Sequence, residues 1–366
     1  MRARTFLLAT ALIVLRAPAG YGQTLNVDHY LPSRPENVTW GWFPVDARPA
    51  LTVRSGETVR IDTLSHQGST QDEDPVTFLG GLGVKPDEIL KDVRDFWASK
   101  PGRSRADGRT GVHILTGPIA VEGAEPGDML EVKILELRPR VPYGLNTPGM
   151  ASSVLGAAYP GIRPGDRALD IPPTTRRLIR TGVVNGREVA LFSDTIHVPL
   201  APFMGTLAVA PKEGIQSSGP PGPYGGNLDL KALTVGSTLY LPVFQRGALF
   251  YVGDPHGAQG DGEVSGNALE QSLTGVFRFV LHKRTTIAGP RAETPTHYIL
   301  MGIDRDLNRA LRKATLEVVD FLVKEKKLTP ANAFSLASIA VDFRIAEAVD
   351  DAQVVAGMVP KSLFMR

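Results

Sequence analysis

The sequence contains no cysteine among its 366 residues. This absence excludes a disulfide framework, a thiol nucleophile and any zinc site built on thiolates. A metal ion would therefore need nitrogen and oxygen ligands. A large net charge is also missing, since 40 basic residues oppose 38 acidic ones and the net charge is +2. Without a basic stripe that interleaves with aromatic residues, this balance gives no reason to predict a nucleic-acid partner.

The sequence also lacks an apolar run long enough to span a membrane. The first residues are instead typical of a signal peptide. Arg2 and Arg4 precede a short apolar run, Phe6 to Leu15, and the small residues 17–19 follow it. We therefore predict a signal peptide over residues 1–19, a periplasmic or secreted location, and no membrane association after cleavage. A buried N-terminal helix is the alternative.

Turn-forming residues are plentiful, with 38 glycines and 29 prolines scattered along the chain, as is typical of a strand-rich protein. Three segments each place alternating apolar residues after a glycine turn, which predicts half-buried strands: 52–63, 124–135 and 233–244. Further strand candidates are 188–199, 205–210, 247–253, 275–283 and 296–302. We predict a mainly β fold with an α+β portion, in which packed antiparallel sheets or a barrel-like β unit are accompanied by C-terminal helices.

Helical spacing of apolar residues predicts three helices, over Pro86 to Ser99, over Asp306 to Lys327, and from Thr329 to about Val349. Two long irregular regions, 68–83 and 142–173, are rich in glycine, proline and polar residues. Regions of this length inside a compact domain are typical of functional loops or linkers.

Composition marks no sharp domain boundary. We divide the mature chain into a β-rich N-terminal portion, residues 20–185, and an α+β C-terminal portion, residues 186–366, which ends with the last two predicted helices.

One glycine-rich segment, Gly253 to Gly266, is dense in side chains that bind metals. Its sequence GDPHGAQGDGEVSG holds Asp254, His256, Gln259, Asp261 and Glu263. Neighbouring carboxylates repel each other unless a cation lies between them. An Asp-x-His pair with a nearby glutamate can supply oxygen and nitrogen ligands to zinc or a similar ion. The alternative for His256 is a loop histidine bonded to a backbone carbonyl.

Further candidates lie at the ends of other predicted strands, where sites are often built. His197 ends one strand pattern, and His66 ends another that contains Asp62. His113 precedes a strand-like segment that contains Glu122. A purely structural role is the alternative for His197 and His66.

The sequence does not match the patterns of two common functional sites, the EF-hand and the nucleophile elbow. Counted from Asp254, the third and fifth positions of a calcium-binding EF-hand loop are His256 and Ala258, which do not fit. No G-x-S-x-G nucleophile elbow occurs, and Ser217-Ser218 lacks the long signature of the serine–serine–lysine amidases. A metal-activated water is the strongest nucleophile that remains. Oxygen-rich calcium binding in another geometry stays open.

Five blocks, taken together and in order, resemble the acetamidase/formamidase family: 116–132, 197–211, 222–243, 253–266 and 335–364. The resemblance implies a β-rich fold with an α+β portion, assembled as a homodimer or higher homo-oligomer. It also implies hydrolysis of a short aliphatic amide to a carboxylate and ammonia at a site with divalent zinc or calcium. The shared blocks contain Glu122, His197, Asn227, Asp229, Asp254, His256, Gln259 and Glu263.

We hypothesise that one divalent ion, with zinc as the first choice and calcium as the second, is held by Asp254, His256, His197 and Asp62. The ion would polarise the amide carbonyl and activate water. Glu263 or Glu122 would take the proton of the water and later return one to the leaving nitrogen. The substrate would be bound by Gln259, Asn227 and His113.

Two other functions remain open at this point. One is a non-catalytic exported protein with a structural calcium or small-ligand site. The other is a hydrolase of a different C–N bond, such as a larger amide or a carbamate. Two histidines on the ion would favour the enzyme, whereas all-oxygen ligation would favour structural calcium.

Overall fold

The computed structural model describes residues 25–99, 111–149, 152–156 and 175–365. The predicted signal peptide and much of the second irregular region lie outside these ranges. Within them, none of the helices combines the length and the apolar character needed to cross a membrane.

Strands dominate the fold. In chain order they are β1 (His29–Leu31), β2 (Val38–Trp40), β3 (Trp42–Phe43), β4 (Leu51–Val53), β5 (Thr58–Asp62), β6 (Ile114–Val121), β7 (Met129–Pro139), β8 (Tyr143–Asn146), β9 (Arg177–Val184), β10 (Arg187–Leu191), β11 (His197–Pro199), β12 (Phe203–Ala208), β13 (Gln216–Ser217), β14 (Gly225–Asn227), β15 (Thr238–Pro242), β16 (Phe250–Ala258), β17 (Leu269–Glu270), β18 (Leu273–His282), β19 (Arg291–Glu293), β20 (His297–Asp304), β21 (Asp342–Glu347) and β22 (Gln353–Pro360). The helices are α1 (Pro75–Gly81), α2 (Lys91–Ser99), α3 (Leu307–Lys324) and α4 (Pro330–Ala340), with 3-10 turns at Pro35–Asn37, Pro86–Glu88 and Lys361–Leu363.

Two large sheets contain most of these strands. The first has the spatial order β1-β5-β18-β7-β15-β19-β20-β22-β21. The second has the order β11-β10-β9-β8-β17-β16-β12-β14, and β6 joins it by pairing with β16, β2 and β4. Only β1–β5 and β4–β6 pair in parallel among the described strands. The predicted mainly β fold with antiparallel sheets and C-terminal helices is therefore confirmed. Both sheets draw strands from either side of residue 185, so the structure gives no support to a domain boundary there.

The core lies between the two sheets. Alternation along β5 turns Val59 and Ile61 inward, and both are fully buried. Phe250 of β16 packs against two rings of β18, with centroid distances of 5.1 Å to Phe279 and 6.5 Å to Phe277. Because burial of each such side chain stabilises the fold by about 1.5–3 kcal/mol, these contacts hold the second sheet, and the site it carries, on the first.

The long C-terminal helix covers the outer part of the first sheet. Asp306 caps α3 by accepting a hydrogen bond from the backbone N–H of Arg309. Its apolar stripe faces β20 and β22 and includes Ala310, Ala314 and Val318. The prediction over Asp306 to Lys327 therefore agrees with the structure to within a few residues.

The last predicted helix is too long. It starts at Pro330, behind the capping hydroxyl of Thr329, but it ends at Ala340 rather than near Val349. The following residues form β21, which pairs along its length with β22. Apolar residues such as Phe343 satisfied a helical spacing in the sequence, but pairing with β22 decides the backbone conformation.

The first predicted helix and the first irregular region also need correction. Residues from Pro86 begin with a 3-10 turn, and α2 starts only at Lys91. The region 68–83 contains α1, whose first N–H groups are capped by Asp74 and whose first residue is Pro75. The pair Asp74-Pro75 is therefore the signal in the sequence that marks the start of α1.

Candidate functional site

The glycine-rich segment begins as a buried strand rather than as a loop. Asp254 and His256 lie within β16, all of whose residues are buried. Residues two apart on a strand share one face, and the Nε2 atom of His256 lies 3.2 Å from Oδ2 of Asp254. β16 lies beside β17, where Glu270 is directly opposite His256. The histidine's Nε2 lies 3.4 Å from Oε1 of Glu270.

Two more histidines reach the same place from other strands. His66, which follows β5, places Nδ1 3.5 Å from Oδ1 of Asp254 and 3.6 Å from Oε2 of Glu270. His113, which precedes β6, places Nε2 3.7 Å from Oδ1 of Asp254. We call these residues the histidine group: His66, His113, Asp254, His256 and Glu270.

The spacing in the histidine group fits a metal ion. A tetrahedral ion with ligands at 2.0–2.1 Å places neighbouring ligand atoms about 3.4 Å apart. The five distances above run from 3.2 to 3.7 Å. Buried atoms without a hydrogen-bond partner include His66 Nδ1, Asp254 Oδ1, His256 Nε2 and Glu270 Oε2. Because such atoms are rare in native proteins, a cation between them is the simplest way to satisfy them.

Gln259 fixes the orientation of His256. Its Nε2 donates hydrogen bonds to the backbone carbonyls of Asp229, at 2.8 Å, and of Ala346, at 3.3 Å. Its Oε1 therefore faces Nδ1 of His256, at 3.0 Å, and accepts the proton of that nitrogen. The other ring nitrogen, Nε2, is left with its lone pair toward Asp254 and Glu270, which is the tautomer that a metal ligand needs.

His113 is held in the same way. Its Nδ1 lies 2.8 Å from the backbone carbonyl oxygen of Ser218, to which it donates, and 3.2 Å from the hydroxyl of Ser218. The Nε2 lone pair of His113 consequently points toward Asp254. His256 and His113 thus each have a hydrogen-bond acceptor behind the ring, as metal-binding histidines almost always do. His66 differs, because the amide Nε2 of Gln67 lies 3.2 Å from its Nε2.

The charges in the histidine group shift the pKa values of its members. Burial lowers the pKa of His256, but the carboxylates of Asp254 and Glu270 outweigh it and raise this pKa well above its usual value. Burial raises the pKa of Asp254, but His256 and His113 outweigh it and hold this pKa well below its usual range. The group therefore attracts positive charge, whether from protons or from a metal ion.

Four more carboxyl groups lie beside the histidine group. We call them the acidic group: Asp229, Glu263, Glu347 and Asp350, whose ligand oxygens lie within 4.8 Å of one another. Burial is the main cause that raises the pKa of each, and the like charges of neighbouring acids add to it. The two groups are in contact, since Oδ1 of Asp229 lies 3.7 Å from Nδ1 of His256.

Backbone pairing brings the C-terminal part of the chain to the acidic group. The N–H of Gly262 donates to the carbonyl of Ala346, and the N–H of Ala348 donates to the carbonyl of Gly262. This places Glu347 and the turn after β21 against the residues that follow β16.

Several acids of the site have left-handed backbone conformations. The φ angles are +42° at Asp229, +51° at Asp254, +43° at Glu263 and +58° at Asp350. Non-glycine residues rarely adopt this region, and the cost of such strain is tolerated mainly at functional sites.

A glycine forms the floor between the two groups. A Cβ atom on Gly205 would lie 2.3 Å from Oδ1 of Asp229, 2.5 Å from Oδ2 of Asp254 and 3.0 Å from Cε1 of His256. The space that these side chains enclose therefore exists only because β12 has no side chain at this position.

Three predicted site residues lie elsewhere. His197 is exposed on β11, at the edge of the second sheet. Asp62 is buried, but its carboxylate accepts hydrogen bonds from Tyr30, at 2.6 Å, and from Thr274, at 2.5 Å. Glu122 is exposed after β6. None of the three belongs to a potential ligand group in the described ranges, so the structure gives no support to their predicted roles.

The sequence analysis assigned no role to Glu270, Glu347 or Asp350. Glu270 reaches the site by cross-strand pairing, which leaves no local pattern in the sequence. Glu347 and Asp350 lie inside the family-like block 335–364, and that block was the signal that could have indicated them. The prediction of a helix to about Val349 hid their position in a strand and its turn.

Comparisons with known proteins agree with the resemblance. An acetamidase of Mycolicibacterium smegmatis is 33% identical over 294 residues, which cover 66% of this chain and 65% of that protein. A relative from Schizosaccharomyces pombe is 29% identical over 270 residues, which cover 61% of this chain and 58% of that protein. The matched part therefore spans less than two thirds of either relative.

The solved structure of an acetamidase from Bacillus halodurans is similar over 92% of this chain and 98% of its own, with a TM-score of 0.73 and 27% identity. A sequence model of the acetamidase/formamidase family matches residues 107–218 and 173–366, which is well over half of the chain. These residues include most of the strands and nearly all of the side chains that form the site. The chain therefore belongs to the acetamidase/formamidase family.

Proposed function

We propose that this protein is a metal-dependent amidase, which hydrolyses a short linear amide of the acetamide or formamide kind to a carboxylate and ammonia. Membership of the family and the names of its relatives support the reaction class. The observation that carries the metal dependence is the histidine group, with its ligand-like spacing and its unpartnered buried atoms.

The residues that would hold the ion form two overlapping sets of possible ligands that share Asp254, namely His66, His113 and Asp254, and Asp254, His256 and Glu270. Three nitrogen ligands favour zinc or a similar transition metal over calcium, which prefers oxygen. When bound, such an ion polarises a carbonyl group and lowers the pKa of water from ~15.7 toward ~7.

The remaining task of the protein is to move protons, because an amide nitrogen leaves only after it is protonated. Glu263 is the proposed proton carrier. It lies beside Asp229 and His256 and is 7% exposed. Burial, with the negative charges of Glu270 and Asp254, raises its pKa, so it can hold a proton at a higher pH than an ordinary glutamate. Glu122 is exposed and outside both groups, which leaves this role to Glu263.

Two predicted substrate contacts are occupied by other partners. The Nδ2 atom of Asn227 donates to Asp229 at 2.7 Å and to Asp350 at 2.8 Å, so both of its protons are used. Gln259 uses its amide behind His256, as described above. Asn227 and Gln259 therefore support the site from behind instead of contacting the amide.

An ammonia-release assay across a series of linear amides tests the function. Metal-stripped protein should be inactive, and added zinc should restore turnover, with the smallest amides hydrolysed fastest. Activity on larger amides or carbamates alone would assign a different C–N hydrolase. No ammonia from any amide with zinc, manganese or calcium would contradict the proposal.

Pairs of matched variants test the metal-binding and proton-transfer roles of individual residues. His113→Ala should lose both bound metal and turnover, whereas His197→Ala, an exposed histidine outside the group, should retain both. Glu263→Gln should keep the metal and lose turnover, and Glu122→Gln should behave like the wild-type protein. Metal content by elemental analysis and ammonia release are measured on the same samples.

We also propose that the mature protein works in the periplasm or outside the cell, and that it assembles as a homodimer or higher homo-oligomer. The N-terminal sequence pattern supports the location, and the family resemblance supports the assembly. Light scattering of the purified protein would give the number of subunits.

A further inference from the structure

A small cavity lies next to the histidine group, between the second sheet and the helices α1 and α2. The side chains that line it include the polar Gln67, Ser69 and Glu270 and the apolar Leu79, Val93 and Leu145. All of these except Gln67 are buried. The volume open to the centre of a water molecule is about 10 Å³, so the cavity accommodates one group of that size.

Glu270 is shared by the cavity and the histidine group. In the second sheet it lies opposite His256 of β16 on one side and opposite Leu145 of β8 on the other. Residues that are directly opposite one another across paired strands project to the same face of the sheet. The cavity is therefore the next position along this face, and a molecule bound at the histidine group can extend one of its own groups into it.

Two buried polar atoms of the cavity residues have no hydrogen-bond partner. Ser69 is 1% exposed, and its hydroxyl oxygen is unpartnered. Oε1 of Glu270 accepts the backbone N–H of Ala268 at 3.1 Å and faces His256, whereas Oε2 has no hydrogen-bond partner. Each carboxylate oxygen has two lone pairs, so Oε2 can accept a hydrogen bond beside a metal ion as well. Because buried polar atoms are nearly always bonded in native proteins, the cavity suits a group that donates hydrogen bonds.

We propose that this cavity, which we call the amino cavity, receives the –NH2 group of the amide substrate, with Ser69 and Glu270 as acceptors of its two hydrogens. An –NH2 group is close to a water molecule in size and carries two donors, whereas the acyl end of a short amide offers only C–H groups and would leave both acceptors unbonded. Leu79, Val93 and Leu145 form the wall that excludes a carbon substituent on the nitrogen. The wall thus restricts the enzyme to primary amides.

Enlargement of the amino cavity tests this restriction. Leu145→Ala should raise kcat/KM for N-methylacetamide relative to acetamide by about tenfold or more, since one methyl group in an apolar site changes kcat/KM by about 10–200-fold. Release of methylamine and of ammonia is measured on the same zinc-loaded protein. Leu322→Ala removes a fully buried leucine of α3 instead and should leave the ratio unchanged. Val93→Ala opens less space and serves as the second variant if Leu145→Ala does not fold.

Removal of the unpartnered hydroxyl tests the acceptor role. Ser69→Ala should lower kcat/KM for acetamide by about tenfold, because the substrate nitrogen loses one of its two acceptors. The zinc content should stay that of the wild-type protein. Ser237→Ala is the control, since Ser237 is also buried but its hydroxyl donates to the backbone carbonyl of Thr234 at 2.6 Å, in a turn outside the site.

This inference rests on the proposed function, so binding is also measured without turnover. The melting temperature of zinc-loaded protein is recorded with acetamide and with N-methylacetamide at equal concentration. Acetamide alone should stabilise the wild-type protein, whereas both amides should stabilise Leu145→Ala. A protein with this pattern that releases no ammonia would support the amino cavity and reject only the proposed function.

Three results would overturn the amino cavity. Stabilisation of the wild-type protein by N-methylacetamide as strongly as by acetamide would show that the wall excludes nothing. A gain of activity on propionamide or butyramide in Leu145→Ala and Val93→Ala, without a gain on N-methylacetamide, would assign the cavity to the acyl end. Unchanged preference at both ends of the amide in these variants would leave the cavity with a structural water only.

Discussion

At the scale of single residues, the site requires empty space as much as it requires ligands. Gly205 supplies that space, because a methyl group there would overlap carboxylate oxygens of both the histidine and the acidic groups. Its φ is not in the left-handed region, so the backbone itself would accept alanine. The requirement for glycine at this position is therefore a matter of site volume.

Gly205→Ala should consequently leave the sheets intact and disable the site. We expect metal affinity to fall on the order of a hundredfold, as metal ligands are displaced from their positions. Equilibrium dialysis with zinc measures this change, and circular dichroism checks the fold. Gly260→Ala is the control, since a Cβ there meets nothing within 4 Å. Equal zinc affinity in the two variants would contradict the role given to Gly205.

Gln259→Leu tests how His256 is held. Loss of the acceptor behind Nδ1 should free the imidazole ring and its tautomer, so we expect a 10–100-fold loss of zinc affinity. Gln245→Leu provides the control, because Gln245 also donates to two backbone carbonyls, those of Pro211 and Lys212, but does so away from the site. If Gln259→Leu retained wild-type zinc affinity, its positioning role would be wrong.

Sequence reasoning found those site residues that lie close together along the chain. Asp254 and His256 are two residues apart, and their pairing could be inferred before the structure was known. Glu270 and Glu347 reach them through strand pairing, which depends on register and not on any local motif. His197 begins β11, which is an exposed strand at the sheet edge, and Pro199 in the same strand was a sequence signal for an edge strand.

At the scale of elements, alternating apolar residues predicted the central strands well because these strands have one face in the core. The prediction failed where two patterns coincide, as after Ala340, where the spacing of Phe343 suits a helix and the chain forms β21. It also failed for short α1, which is specified by its capping residues and not by a long apolar stripe.

α2 is attached to the rest of the fold by a charged contact. Asp92 accepts a hydrogen bond from Ser33 at 2.7 Å and pairs with Arg140 at 2.8 Å. Partial burial raises the pKa of Asp92, but the bonds from Ser33 and Arg140 outweigh it and lower this pKa below 3.8. A lowered folded-state pKa stabilises the protein above the unfolded value, and this contribution is lost as the pH falls through the folded-state pKa.

Asp92→Asn should therefore reduce the free energy of unfolding by about 1 kcal/mol at pH 7, a figure that allows for solvent screening of a partly exposed pair. The difference from wild type should persist down to about pH 5 and shrink below about pH 4. Urea unfolding across this range measures it. Asp95→Asn serves as the control on the exposed side of α2, and a difference independent of pH would count against the charged contact.

At the scale of the whole molecule, the family and the mainly antiparallel sheet architecture could be predicted from the sequence. The arrangement of strands from before and after residue 185 within each sheet could not. Each sheet mixes strands from before and after residue 185. Amino-acid composition does not indicate which strands are neighbours, because each strand buries apolar residues whichever strand it pairs with.

The proposed export makes a prediction that can be tested on residues 1–366. Their expression in a Gram-negative host should give a periplasmic protein whose first residue lies near Gly20. N-terminal sequencing and fractionation measure this directly. Substitution of Leu7 and Leu8 by charged residues should keep the unprocessed protein in the cytoplasm. Recovery of an intact Met1 from the periplasm would refute cleavage.

The two backbone hydrogen bonds that join Gly262 to Ala346 and Ala348 have a consequence for when the site can form. Because Glu347 and Asp350 follow all other residues of the site along the chain, every one of those residues must be synthesised before the acidic group has all its members. A chain that crosses a membrane in the unfolded state would thus arrive with the residues of its site still far apart. The proposed metal ion would then come from the compartment of arrival, and the supply of metal there would determine how much of the protein becomes active.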